Sequence, residues 1–366
     1  MHSSDHRTKH LYSVYISAMS DSAIYLFATV FSFVVHFSLF IPFINFLYTK
    51  KMQRAHQETI DPFGRRTPIF DKFNGHKAGT PIGGGILIIG ISILIYLGYL
   101  MWFFYAGRVV TSNYASVISG VVLLTITMLG FGFIGLYDDL SKIFLWSRHN
   151  FFGLRMRHKL VLELAVAFAV SCAMYFYLGI DIIHIPFIGT LHLSFWYVLF
   201  ATFVIVAFAN AVNITDGMDG LSSGTLMIAL IGFWIVSRSI IDVPTSLFIA
   251  IWLGGLLAFL YFNVFPARIW LGDTGALAFG ATFAVIGLML GKSFALPIIG
   301  GVFVIEVMSS GLQLLGKRFL NRKIFQVSPF HLYLQHKGWQ EPKVVFRMWI
   351  LAILLVIIGV ATALLR

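Results

Sequence analysis

Ten mostly apolar stretches dominate the chain, each near the roughly 20 residues a helix needs to cross a hydrocarbon core. They lie near 22–48, 83–104, 116–137, 159–178, 194–213, 223–241, 246–264, 275–291, 295–316 and 346–365. A bilayer admits only segments that satisfy their own backbone hydrogen bonds, so runs of this length are expected to fold as spanning helices. Only 11% of the 366 residues are charged, against about 25% in a soluble domain. The expected fold class is an all-α polytopic membrane protein with about ten transmembrane helices. Gly291-Lys292-Ser293 is a short, weak break between the eighth and ninth runs. The stretch DIIHIPFIGTLHL at 181–193 is too short to span, and its alternation predicts a small hairpin at the membrane surface. Residues 1–21 are read as a polar N-terminal segment and 22–366 as a single integral-membrane domain. The run at 22–48 is too long for a signal-peptide core. A single cysteine, Cys172, excludes an intramolecular disulfide and argues against a Cys-based zinc site.

Charge placement sets the orientation. Alternate loops, with their immediate flanks, cover 49–82, 138–158, 214–222, 265–274 and 317–345, and these hold 20 of the 26 Lys and Arg residues. By the positive-inside rule the five loops face the cytoplasm and both termini are periplasmic. The formal charge of +11 is therefore read as topogenic. Membrane lipid is the expected partner and nucleic acid is not. The distinctive polar motifs fall in the same five loops: HKAGTPIGGG, GLYDDLSK, NAVNITDGMDGL, NVFPARIWLGDTG and SPFHLYLQHKGWQEPK. A transporter more often buries its ionisable groups near the bilayer midplane. Acids gathered at one membrane face suit a reaction between a cytosolic substrate and a lipid.

Each motif has a plain reading beside its chemical one. Asp216 and Asp219 are spaced i, i+3, so one helical turn would put both carboxylates on one face, with Asn210 and Asn213 close by. Acids at a bilayer edge are costly unless solvated, paired or bound to a cation. Asp138 and Asp139 end an apolar run, with Lys142 one turn on. A helix C-terminus does not favour anions, so the fold gains nothing from this placement. Asp273 in WLGDTG suits Mg²⁺ or an N-cap, and both roles are compatible. Trp270 suits an interface anchor or a platform for a flat base. The glycines after Thr80 suit either phosphate contact or close helix packing. Gly130, Gly132 and Gly135 have GxGxxG spacing but lie within a span, without the strand–turn–helix context of a dinucleotide site. Glu306 is mid-span with Gln313 two turns later, and a buried structural hydrogen bond is as good a reading for Glu306 as a catalytic one. His331 has no HxxxH or HExxH partner, which argues against a zinc hydrolase.

Together these motifs resemble the phospho-N-acetylmuramoyl-pentapeptide transferases, within the polyprenyl-phosphate sugar-1-phosphate transferase superfamily. The resemblance runs from about Lys77 to the C-terminus. It rests on TPxxGG at 80–85, DDxxK at 138–142, NxxNxTDGxDGL at 210–221, GDTGxLxxG at 272–280 and KGWxEPKVVxRxWI at 337–350. It implies catalytic roles for Asp138, Asp139, Asp273 and His331, with Asp273 as the Mg²⁺ ligand. It implies substrate-binding roles for Lys77, Thr80, Lys142, Asn213, Asp216, Asp219, Asn263, Trp270 and Gln313, with Trp270 beside uracil. The family's final loop reads PxHHHxE, where this chain has Pro329-Phe330-His331-Leu332-Tyr333-Leu334-Gln335, so one histidine of three survives.

The implied reaction moves phospho-MurNAc-pentapeptide from UDP onto undecaprenyl phosphate, releasing UMP and forming lipid I. The implied cofactor is Mg²⁺, because two anionic substrates would meet a site rich in aspartates. A homodimer packed through the first span is a further expectation from the family. Two rivals stand beside this reading: a polyprenyl-phosphate sugar-1-phosphate transferase with another UDP-sugar donor, and a non-catalytic lipid-intermediate binding protein or transporter.

Overall fold

The computed structural model describes residues 3–53, 77–114, 116–144 and 156–365. The basic residues at 54, 65, 66, 72, 148 and 155, used above for orientation, lie outside the described residues. The chain runs α1 (Ser3–Thr49), α2 (Gly84–Tyr105), α3 (Val117–Phe144), α4 (Met156–Leu178), β1 (Ile182–Ile185), β2 (Gly189–His192) and α5 (Trp196–Thr215). It continues through α6 (Leu221–Ser239), α7 (Val243–Asn263), α8 (Gly272–Met289), α9 (Leu296–Ile299), α10 (Gly301–Phe319), α11 (Phe330–His336) and α12 (Glu341–Leu364). The two strands form the antiparallel hairpin expected at 181–193, Ile182 pairing with His192 and Ile185 with Gly189.

Among the described residues, nine helices are long and apolar enough to cross a membrane. The remaining expected span, 295–316, departs from the simple pattern. It breaks at Gly300 into α9 and α10, and α10 buries Glu306 and Gln313 and ends in Lys317 and Arg318. Its polar face lowers its apolarity, but the chain still crosses there. Helix α8 starts at Gly272, and Lys77, near that end, pairs with Glu341 at the start of α12. The segment from Met289 back to Glu341 must therefore return across the bundle.

Helices α7 and α8 form the centre, with 94% and 89% of their spanning windows buried, against 28% for α1. Lipid offers no hydrophobic drive between helices, so close backbone packing at small residues holds such bundles. Gly85 meets Gly275, where a Cβ would lie 2.3 Å from the Gly275 Cα. Gly280 lies against the Phe208 carbonyl, at 2.2 Å from a hypothetical Cβ. Hydroxyls stitch α1 to α7: Thr29 Oγ1 donates to the Ala250 carbonyl at 3.0 Å and Ser32 Oγ to the Ile251 carbonyl at 2.6 Å.

Candidate active site

The site is built where α3 meets the start of α8. Gly135 lets them approach, since a Cβ there would sit 2.2 Å from the Asp273 carbonyl oxygen. Of the three spaced glycines in α3, Gly130 instead faces Val166 and Gly132 faces Ile89. One turn on from Gly135, Asp139 reaches across to α8. Its Oδ1 accepts the Asp273 N–H at 3.0 Å, and its Oδ2 accepts the Thr274 N–H at 2.9 Å and the Thr274 hydroxyl at 2.7 Å. Asp139 therefore caps α8 from a neighbouring helix, against the positive end of its dipole. Gly272 has φ +80, and a Cβ there would lie 2.7 Å from Asp139 Oδ2, so both the backbone and the space demand glycine.

Asp138, on the adjacent position, faces a different set. Lys142 Nζ lies 3.0 Å from Asp138 Oδ2 and 2.9 Å from Asp273 Oδ2. Lys159, from the first turn of α4, lies 3.0 Å from Asp138 Oδ2 and also pairs closely with Asp273 Oδ2. Two carboxylates from different helices thus share two ammonium groups. The sequence does not single out Lys159 as a site residue, because beside Arg155 and Arg157 it reads as an orientation charge. One turn further along α4, Glu163 is buried and accepts from Asn210 Nδ2 at 2.5 Å, which accounts for the first Asn of the central motif.

A second cluster surrounds the loop between α5 and α6. Lys77 is buried, with Nζ 2.6 Å from Glu341 Oε1, 3.3 Å from Asp219 Oδ1 and 4.8 Å from the centre of the Trp270 ring. Glu341 Oε1 also accepts the Asp219 N–H at 2.8 Å, and Asp219 Oδ2 accepts the Ala267 N–H at 2.9 Å. Asn263 Oδ1 accepts from the Gly220 N–H at 3.1 Å and from Ser223 Oγ at 2.8 Å, while its Nδ2 donates to the Ile269 carbonyl at 3.0 Å. Asn263 thereby ties the 216–220 loop to the segment leading into Trp270. The Gly83 and Gly84 N–H groups donate to the Trp270 carbonyl, and that of Gly85 to the Leu271 carbonyl. These glycines serve backbone pairing and close packing, which decides between the two readings of TPIGGG.

Asp216 and Asn213 are half-buried at the end of α5, and Thr80 is half-buried between Lys77 and α2. Burial, then the negative charges of Asp273 and Asp139, push the Asp216 carboxyl well above the usual carboxylate range. Asp216 thus feels both clusters and links them electrostatically. His331 is buried with its ring against Gly217. Gln313 is placed differently. Its Oε1 accepts the N–H groups of Ile324 and Phe325 at 3.0 and 2.9 Å, and its Nε2 donates to the Phe325 carbonyl at 2.9 Å. All of those bonds go to the loop after α10.

Asp138 and Asp273 supply hard carboxylate oxygens, which fit Mg²⁺ in donor type, and both oxygens that face each other are held here by the ammonium groups of Lys142 and Lys159. Among the described residues, no group of three or more His, Cys, Asp or Glu side chains could hold a metal by itself.

The sequence profile of glycosyl transferase family 4 matches residues 121–291, which includes Asp138, Asp139, Asp216, Asp219 and Asp273. The chain is 32% identical to the phospho-N-acetylmuramoyl-pentapeptide-transferase of Caldanaerobacter subterraneus, covering 90% of this chain and 95% of that protein. It is 34% identical to the protein of the same name from Desulfotalea psychrophila, over 90% of each. The namesake from Bacillus subtilis is 35% identical over 79% of this chain and 85% of its own length.

Proposed function

The chain belongs to the phospho-N-acetylmuramoyl-pentapeptide transferase family, and from that premise we propose what its site does. It transfers phospho-MurNAc-pentapeptide from UDP to undecaprenyl phosphate, releasing UMP and forming lipid I. The observation that carries this reading is the meeting of Asp138 and Asp273 over Lys142 and Lys159, beside the buried Lys77–Asp219–Glu341 cluster. All of it lies at one end of a membrane bundle, where a lipid phosphate and a soluble nucleotide can meet. Read with the positive-inside charge, that end faces the cytoplasm of a bacterial inner membrane.

Asp273 and Asp138 would hold Mg²⁺, which when bound supplies Lewis-acid stabilisation of charge on the diphosphate and the leaving UMP. Lys142 and Lys159 neutralise the same carboxylates and would offer positive charge to substrate phosphates. The acceptor needs little base catalysis, since a phosphomonoester has its second pKa at about 6 and is largely ionised near neutrality. Asp138 accordingly orients the reacting groups. Asp139, with both oxygens bonded to the first turn of α8, holds Asp273 in place. Lys77 and Trp270 lie together beside the 216–220 loop and are the groups we assign to the nucleotide half of the donor.

The test is UMP release from UDP-MurNAc-pentapeptide and undecaprenyl phosphate by the purified chain. Release should require Mg²⁺, stop on chelation, and be nearly abolished in Asp273→Asn. Turnover of UDP-GlcNAc in place of the muropeptide donor would assign the chain to another sugar-1-phosphate transfer. Mg²⁺-dependent nucleotide-sugar binding without turnover of any donor would make it a binding protein.

A further inference from the structure

Glu306 is fully buried in the second turn of α10, where a carboxylate is expensive and needs a reason. Among the described residues its carboxylate has one partner, His331. Oε1 and Oε2 lie 3.1 and 3.3 Å from the His331 backbone N–H, and Oε2 lies 3.0 Å from His331 Nδ1. A carboxylate only accepts, so Nδ1 carries the hydrogen in this contact and Nε2 is the ring nitrogen left for other work. That nitrogen faces the central loop. A Cβ at Gly217 would lie 2.5 Å from His331 Nε2, and the Gly217 carbonyl is 3.4 Å from Lys77 Nζ. The ring therefore abuts the turn between Asp216 and Asp219, in the second cluster of the site.

We propose that Glu306 is a positioning residue, holding His331 so that Nε2 faces the nucleotide half of the donor beside Gly217. This rests on the reading that the donor is a UDP-linked sugar. It is sharpened by the loop sequence, in which Leu332 and Tyr333 replace two of the family's three histidines. One imidazole remains to do the contacting, and a carboxylate from another helix sets its tautomer and direction.

A double-mutant cycle tests it, read in UDP affinity by calorimetry and in kcat/KM for UMP release. His331→Asn keeps a donor toward Glu306 but removes Nε2. Glu306→Gln keeps the size of the side chain and removes the charge. In the wild-type background, Glu306→Gln should weaken UDP affinity and kcat/KM roughly 10- to 100-fold, as loss of an orienting partner usually does. In the His331→Asn background the same change should cost less than about twofold, because the group it acts through is gone. Thermal stability should respond to Glu306→Gln similarly in both backgrounds. Glu306→Asp, which keeps the charge on a shorter arm, replaces it if Glu306→Gln fails to fold. An equal loss in both backgrounds, or no loss in either, overturns the proposal, and so does a wild type that does not bind UDP. If the wild type binds UDP but turns over no donor, the proposed reaction fails while the cycle in UDP affinity still decides the role of Glu306.

Discussion

Asp139 holds the first turn of the helix that carries Asp273, accepting the Asp273 N–H at 3.0 Å through one oxygen and two Thr274 donors through the other. A neighbouring acid, Asp138, faces lysines instead. The pair therefore divides into one residue that builds the site and one that meets charge within it. Asp139→Asn places an amide NH₂ against an N–H donor that needs an acceptor. The expected cost is about 1–3 kcal/mol of stability, the usual penalty for an unsatisfied buried donor. Thermal unfolding in detergent should show a lower Tm for Asp139→Asn, and a Tm near wild type for Asp138→Asn. Equal Tm values for the two variants would remove the distinction.

The Lys77–Glu341 pair has both side chains about 95% buried, at 4% and 5% exposure. Lys77→Met leaves two carboxylates, Glu341 and Asp219, without the cation between them. Breaking a buried pair from one side typically costs about 3–5 kcal/mol. Adding Glu341→Gln keeps an acceptor for the Asp219 N–H and removes one of the stranded charges. The double variant should therefore be more stable than Lys77→Met alone, by denaturation in detergent, although neither should regain wild-type donor affinity. A double variant less stable than Lys77→Met would show that Glu341 acts independently of Lys77.

These two clusters mark what a sequence shows and what it hides. The bundle was legible because membrane crossing forces long apolar runs, and the acids at their ends had no cheaper explanation than a site. Asp138, Asp139, Asp216, Asp219 and Asp273 could be picked out on that ground. Partners brought in from far along the chain were not. Lys77 and Glu341 are 264 residues apart, and Lys159 was indistinguishable from the charges that orient the loop. Nor could spacing separate Asp139 from Asp138, since adjacent residues on a helix point about 100° apart and only the neighbouring helices decide what each meets. The break at Gly300 was hidden because 295–316 reads as one moderately apolar run, and the partner of Glu306, His331, lies 25 residues along the chain.

Gly135 carries the approach of α3 to α8. In an ordinary helix, Gly to Ala gains up to about 1 kcal/mol. Here the new Cβ would sit 2.2 Å from the Asp273 carbonyl oxygen, which cannot yield without moving the start of α8. Gly135→Ala should therefore destabilise the protein and lower UMP release by at least roughly tenfold, the scale on which small misplacements act. Gly90 has nothing within 4 Å of a hypothetical Cβ, so Gly90→Ala serves as the matched control and should be neutral to slightly stabilising. Comparable losses in the two variants would mean that the α3–α8 contact is not what sets the effect at Gly135.

Asp216 gives the site a pH dependence of definite sign. Burial and the charges of Asp273 and Asp139 raise its carboxyl above the usual range, so its folded-state pKa exceeds the unfolded value of about 3.9. A raised acid binds its proton more tightly in the folded state, so its contribution to stability is complete below the unfolded pKa and is lost as pH rises through the folded one. Near neutrality its ionisation opposes folding, and Asp216→Asn removes that opposition. The variant should match or exceed the wild-type Tm at neutral pH, with the gap closing as the buffer is taken toward pH 4, measured without substrate in detergent. Activity should move the other way, because a half-buried carboxyl kept at such a cost, between the two clusters of the site, is expected to contact substrate. A variant that is less stable at neutral pH, with a gap that widens toward acid, would mean that the folded protein stabilises the Asp216 carboxylate.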